Sequence, residues 1–260
     1  MQGTSFGDNG GMTSASYSSA AAEPFEDLRI RGVAKTFGTD TTVLNEIDLD
    51  VHPGELISLV GSSGTGKSTL LRIIAGLEEP SAGRVTYAGQ PLERGSVGVV
   101  FQRPILYPHL SVKDNILFPT RLGAFAGRVD MDYYRELLEA LKLEGLESRK
   151  PSQLSGGQAQ RVAIARSQVN GAPVTFADEP TGALDSKTAR EVMALLLTMI
   201  PQQGKTLLVV THDPNVAAAC SRVVYLQDGQ IVSDQRNNQG GVPAQNPGAQ
   251  NLGAQSQAGA

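Results

Sequence analysis

One stretch of the chain is built to hold phosphate. Gly61, Ser62, Ser63, Gly64, Thr65, Gly66, Lys67, Ser68 and Thr69 fit the spacing G-x-x-x-x-G-K-[ST], with a short apolar run before them and a helical pattern after. Gly61, Gly64 and Gly66 let the backbone come close to phosphate oxygens and turn through positive φ. Backbone N–H groups at the start of the following helix then form an anion nest. Lys67 adds a point charge for the outer phosphates, and the Ser68 hydroxyl is a hard oxygen ligand for Mg²⁺. A loose glycine loop with no ligand would need neither that lysine nor that context.

A second group lies 110 residues on. The run 174–177 is short and apolar and ends in two carboxylates, Asp178 and Glu179. At a strand end Asp178 can hold Mg²⁺, directly or through water, while Glu179 can orient and deprotonate an attacking water. An isolated Asp-Glu pair is ordinarily a solvated turn; beside a phosphate loop it reads as catalytic. A third group, Ser155, Gly156, Gly157 and Gln158, follows Leu154 and puts a hydroxyl and two glycines at a helix start, which is a second anion-binding device. Two cradles in one chain make sense if the second covers a nucleotide bound by another copy.

Short apolar runs alternating with helical periodicity supply the elements that must carry these residues. Residues 28–33, 43–51, 56–60, 84–87, 97–101, 174–177 and 207–210 read as strands, and 68–75, 155–169 and 191–200 as helices. Residues 112–147 read as one long helical stretch, with Tyr133, Leu137, Leu138 and Leu141 on one face. Residues 223–226 and 230–232, joined by Asp228-Gly229, read as a hairpin. The expected fold is α/β: a phosphate-loop NTPase core with a mostly parallel sheet, an antiparallel layer formed by the opening strands and the hairpin, and an inserted helical lobe. No internal repeat is visible.

Composition narrows the class. The chain has 260 residues, 40% of them hydrophobic, a net charge of −4 and no basic block. A mildly acidic chain lacks the clustered Lys and Arg that nucleic-acid phosphates require. Its one cysteine, Cys220, has no partner for a disulfide and reads as a small core hydrophobe. No apolar run approaches the roughly 18 residues needed to span a bilayer, and the first residues lack the basic start and apolar stretch of a secretory signal. Residues 1–25 and 236–260 are Gly-, Ser-, Ala-, Asn- and Gln-rich and are expected to be disordered tails; Met12 offers a second start position.

With these groups in order, the chain resembles the nucleotide-binding subunit of the ATP-binding-cassette (ABC) transporter family over residues 28–232. The resemblance implies further roles. Phe37 occupies the place of an aromatic that stacks on adenine. Gln102 matches the glutamine that senses Mg²⁺ and contacts the membrane partner, and residues 154–158 match the family signature. Asp185 matches a loop crossing the dimer interface, and His212 the switch histidine on the γ-phosphate. His52 and His109 fit no motif. The resemblance implies ATP and Mg²⁺ as ligands, a homodimer or pseudo-dimer, and an integral-membrane permease on a separate chain, at the cytoplasmic face of the membrane. The ATPase domain would span 26–235, with the helical lobe at about 103–165 and the apolar residues 104–108 as a docking groove. Residues 177–186 and 211–214 resemble the lipoprotein-release and macrolide-export type, which is the expected class; the short stretch between Gly89 and Gln102 is more like nitrate, sulfonate and taurine importers, the alternative. A regulatory ATPase gating a non-transporting complex, or a mechanical ATPase on DNA or ribosomes, are the other classes. The second of these usually needs two cassettes or long coiled coils.

Overall fold

The computed structural model describes residues 27–91, 95–122 and 129–237. The expected tails lie outside the described residues, apart from Arg236 and Asn237. Among the described residues ten strands and six α-helices follow in order: β1 Leu28–Phe37, β2 Thr41–Val51, β3 Leu56–Val60, α1 Lys67–Ile74, β4 Ala82–Tyr87, β5 Gln90–Pro91, β6 Gly98–Val100, α2 Val112–Leu117, α3 Met131–Ala140, α4 Gly156–Gln168, β7 Val174–Asp178, α5 Ser186–Gln202, β8 Thr206–Val210, α6 Pro214–Ala219, β9 Arg222–Gln227 and β10 Gln230–Arg236. The strands form two sheets. One is antiparallel, in the order β2-β1-β4-β5; the other runs β10-β9-β3-β8-β7-β6 and is parallel throughout except at its β10 edge.

The period-two geometry of a strand splits the core between two faces of the parallel sheet. On β8, Leu207 and Val209 enter a cluster with α2, α3, α4 and α5, while Leu208 and Val210 enter one with α1 and the antiparallel sheet. β7 and β8 are buried on both faces, which is why 174–177 and 207–210 read as largely apolar runs. Phe176 is wholly buried and is among the largest side chains in this interior.

Two expectations change. The hairpin does not join the antiparallel layer: β9 lies parallel to β3 and extends the main sheet, so 222–236 finish the core rather than the added layer. The supposed long helix is broken. α2 stops at Leu117, a 3-10 turn covers Phe118–Arg121, and α3 begins afresh at Met131 with Asp130 capping it. Pro119 lacks an N–H and its ring would meet the carbonyl of Asn115 in a continued helix. Lys142 and Gly145, at φ 53° and 74°, end α3's continuation. Leu137, Leu138 and Leu141 do face the core, together with Tyr134. Helix α5 starts five residues earlier than its apolar pattern, because the Asp185 carboxylate accepts from the backbone N–H groups of Lys187 and Thr188.

Candidate active site

Strands β3, β8 and β7 are neighbours, and the candidate chemistry sits at their C-terminal ends, where open α/β sheets bind ligands. The phosphate loop leaves β3. Gly64 and Gly66 adopt φ 82° and 96°, the left-handed region expected of them. Gly66 also has no room for a side chain: a Cβ there would lie 2.6 Å from Leu44 Cδ2 and 2.8 Å from the Val43 carbonyl. Gly61 is required for a different reason than expected. Its φ is not positive; instead a Cβ would lie 2.2 Å from the Leu226 carbonyl of β9, so the glycine lets the loop pass the hairpin. Helix α1 begins at Lys67 with Gly66 as a cap that makes no side-chain bond, leaving its first N–H groups to an anion. The Lys67 ammonium is buried and donates to the Gly61 and Ser62 carbonyls at 2.8 and 2.6 Å, so it already crosses the loop mouth.

The two distant acidic residues arrive here. Ser68 Oγ donates to Asp178 Oδ1 at 2.8 Å, joining the loop to the end of β7 across 110 residues of sequence. These are two hard oxygen ligands, one of them a carboxylate, which suits Mg²⁺: that ion takes one or two carboxylates and completes its shell with water and phosphate. Among the described residues no cluster of three His, Cys, Asp or Glu forms an all-protein metal cage. Glu179 follows, held by its N–H donating to the Val210 carbonyl at 3.0 Å. It adopts φ 43°, uncommon for a residue with a side chain and the kind of strain found where a group must be aimed. His212 Nδ1 lies 3.5 Å from Glu179 Oε1, and its imidazole is largely exposed. Gln102 lies just past β6, next to Phe101, whose carbonyl accepts from Gln160 Nε2 at 2.8 Å. Its amide packs on the turn after Glu179: a Cβ on Gly182 would come within 2.7 Å of Gln102 Nε2.

Three groups of predicted residues stand elsewhere. Phe37 ends β1 and is 45% exposed. It pairs with Thr41 two rungs from the Val43–Leu44 wall against Gly66, which places it near the loop but in no contact that fixes a base. Ser155, Gly156, Gly157 and Gln158 form a complete capping box at the start of α4: Gln158 N–H donates to Ser155 Oγ, and Ser155 N–H to Gln158 Oε1. Its close neighbours are Leu184 and Thr188, and none of its hydrogen bonds reaches the phosphate loop. Asp185 spends its carboxylate on capping α5, and those bonds, that with Thr188 first, hold its pKa below the usual carboxylate value. In the segment after Gln102, Leu106 packs inward while Ile105 is 62% exposed. The Tyr107 ring packs at a tilt against Phe118, centroids 4.3 Å apart, with its backbone held by the Asn115 side chain.

The remaining candidates are structural. Cys220 is buried, its thiol pushed up to about 12 by that burial. His52 pairs with Asp27 at 2.9 Å, and His109 meets the Tyr107 ring edge-on. A concavity of about 460 Å³ lined by Asp27, Arg29, Pro53, Ala88 and Gly89 lies at the edge of the antiparallel sheet and includes none of the phosphate-loop residues. One element that the sequence reading missed is α6, although Asp213-Pro214 is a cap followed by a first-turn proline. It sets His212 on the short link between β8 and that helix.

A nest at a helix start, a lysine across it and a serine–aspartate contact at the ends of neighbouring parallel strands define a phosphate-loop nucleoside-triphosphatase fold. The family described as ABC transporter matches residues 44–182, more than half of the chain. The chain belongs to that family and is an ABC ATPase domain. It is 42% identical over 242 residues to a macrolide export ATP-binding/permease protein of Chromobacterium violaceum, covering 88% of this chain and 37% of that protein. It is also 42% identical to a probable syringafactin export ATP-binding/permease protein of Pseudomonas syringae pv. tomato, covering 84% and 34%. The chain thus spans about a third of the length of these relatives. Among solved structures, a dimeric bacterial ABC transporter cassette, MJ0796, superposes with a TM-score of 0.70 at 38% identity, covering 81% of this chain and 99% of that one. The same cassette was also captured after hydrolysis, bound to ADP and Pi, and superposes with a TM-score of 0.68 at 36% identity.

Proposed function

We propose that this chain binds and hydrolyses ATP as the motor of an export-type ABC transporter. The observation that carries the reading is the Ser68–Asp178 contact at 2.8 Å, with Glu179 one residue on and His212 beside it. The relatives at 42% identity named above are export ATP-binding/permease proteins, which supports the direction of transport.

In this reading the β- and γ-phosphates lie on the N–H groups of 61–69, with Lys67 turned from the loop carbonyls onto them. Ser68 and Asp178 would hold Mg²⁺, with Gln102 reaching the same shell from the turn at Gly182. The ion, when bound, neutralises charge between the two phosphates. Glu179 takes a proton from the water that attacks the γ-phosphorus, as the bond to the ADP oxygen breaks. The His212 imidazole, beside Glu179, and the Lys67 ammonium stabilise the transferring group. Phe37 is the platform for adenine.

The capping box at Ser155–Gln158 makes its hydrogen bonds within itself and none to its own phosphate loop, which supports completion of each site by a second copy, arranged head to tail. The dimeric cassette neighbour accords with this. Among the described residues no helix is long and apolar enough to cross a membrane. Because the relatives are ATP-binding/permease proteins, we assign the membrane step to a permease, with this domain peripheral to it. Gln102 and the exposed Ile105 and Tyr107 form the contact that carries motion across.

Glu179→Gln tests the reading. Phosphate release should fall about 10²- to 10⁴-fold, the size of a general-base contribution, while ATP binding persists and an ATP-bound dimer accumulates on gel filtration. A normal rate would remove Glu179 from the mechanism. A monomer at saturating ATP would remove the second copy.

A further inference from the structure

The proposed adenine platform is not left to itself. Lys35 lies two residues before Phe37 on β1, and its Nζ stands 4.9 Å from the centroid of the Phe37 ring. That ammonium is fixed from the other side. It pairs with Glu78 Oε1 at 2.5 Å and donates to the Glu79 carbonyl at 2.7 Å, and only 12% of its side chain is exposed. Residues 77 and 78 in turn fold back onto α1, both N–H groups donating to the Arg72 carbonyl. Ser81 clamps the same loop to β1: its N–H donates to the Ala34 carbonyl, and its hydroxyl accepts from Thr36 N–H. An unbroken set of contacts therefore runs from the helix that opens at Lys67, through the loop at its far end, to Lys35 and the ring of Phe37.

A half-exposed ring at a strand end, next to the turn at Gly38, would otherwise sample several rotamers, and a ligand would have to order it on binding. A fixed cation over one face restrains it and leaves the opposite face for a base. We propose that Lys35 is a positioning residue for nucleotide binding, holding Phe37 as a preformed one-sided platform for the adenine ring. This rests on the reading of Phe37 as the base platform.

The effect should be selective for ligands that carry a base. A cation–π contact at an exposed site implies a loss of about two- to five-fold in ATP affinity for Lys35→Met, which keeps the aliphatic stem. Calorimetric titration of the full chain with ATP and with inorganic tripolyphosphate reads this directly. ATP should weaken by that factor, tripolyphosphate should be unchanged, and Lys35→Arg should restore ATP binding. Glu78→Gln, which loosens the ammonium without touching the strand, should show the same pattern to a smaller extent. In a Phe37→Ala background Lys35→Met should have no further effect. Equal loss for both ligands, no loss, or tighter ATP binding in Lys35→Met overturns the proposal, the last by showing that the lysine obstructs the stacking face. If Phe37→Ala itself leaves ATP affinity intact, the platform reading fails. Were Phe37 the platform, that substitution should weaken ATP about 5- to 150-fold.

Discussion

Lys205 offers a measurement of what the seam between the helical lobe and the parallel sheet withstands. It precedes β8, is 9% exposed, and has no carboxylate partner among the described residues. Its Nζ donates to Tyr133 Oη at 2.7 Å and Gln168 Oε1 at 3.3 Å and lies 4.9 Å from the Tyr133 ring centroid. Burial lowers its pKa from 10.5 to about 8. The folded state therefore disfavours the charged form. Below pH 8 both folded and unfolded chains carry the proton, and the fold bears the whole penalty of about 3 kcal/mol. Between pH 8 and 10.5 only the unfolded chain holds it, so stability rises with pH by about 1.4 kcal/mol per pH unit. Lys205→Met removes the charge and keeps the stem. Tyr133 Oη still donates to Gln203 Oε1, so the main new loss is the donor to Gln168, about 1 kcal/mol. The variant should be more stable than the parent by about 2 kcal/mol at pH 7, and the difference should shrink towards zero or below by pH 9.5. Urea unfolding followed by circular dichroism at the two pH values measures it. The same difference at both values would refute the argument, because no proton would then be coupled to folding at this site.

Other substitutions test the site. Gly182→Ala should leave the melting temperature almost unchanged, because the nearest atoms to the new Cβ all belong to the flexible, exposed Gln102 side chain, yet it should lower ATP turnover by redirecting that amide; unchanged turnover would remove Gln102 from the mechanism. Gly61→Ala has no such escape. The Leu226 carbonyl, 2.2 Å from the new carbon, is backbone, so thermal unfolding should show a loss of about 1–3 kcal/mol together with weaker ATP binding. Ser155→Ala should cost about 1 kcal/mol as a lost cap and cut hydrolysis while ATP still binds; a normal rate would mean that α4 merely starts there.

How much was legible in advance follows from what each signal depends on. The phosphate loop, the acidic pair and the capped start of α4 were readable because backbone chemistry dictates both residue type and spacing. The sheet core was readable because β7 and β8 are buried on both faces and so read as plain apolar runs. The lobe was not. Its 3.6-residue periodicity survives across Pro119 and across residues 123–128, which lie outside the described residues, so one stripe stood for two short helices. The place of the hairpin was hidden because a strand's own pattern does not name its partner; β9 is parallel to β3 across some 160 residues. Lys205 was invisible for the opposite reason, since a lysine after Gly204 reads as solvated and only tertiary packing buries it. Lys35 beside Phe37 carries no signal until Glu78 is brought to it.

The passage of Gly61 beneath Leu226 bears on how little of the chain could work alone. Every residue proposed for chemistry lies before Pro214. Yet the loop's first glycine rests against the β9 carbonyl, and the turn at Gly229 rests against β2, where Asn45 N–H donates to its carbonyl at 2.9 Å. Arg222 adds a cross-brace, binding Glu55 before β3 and Asp234 on β10 at 2.9 and 2.6 Å. The hairpin is the lintel over the nucleotide loop. A chain cut after His212 would keep its whole reactive inventory and lose the surface against which its phosphate cradle takes shape.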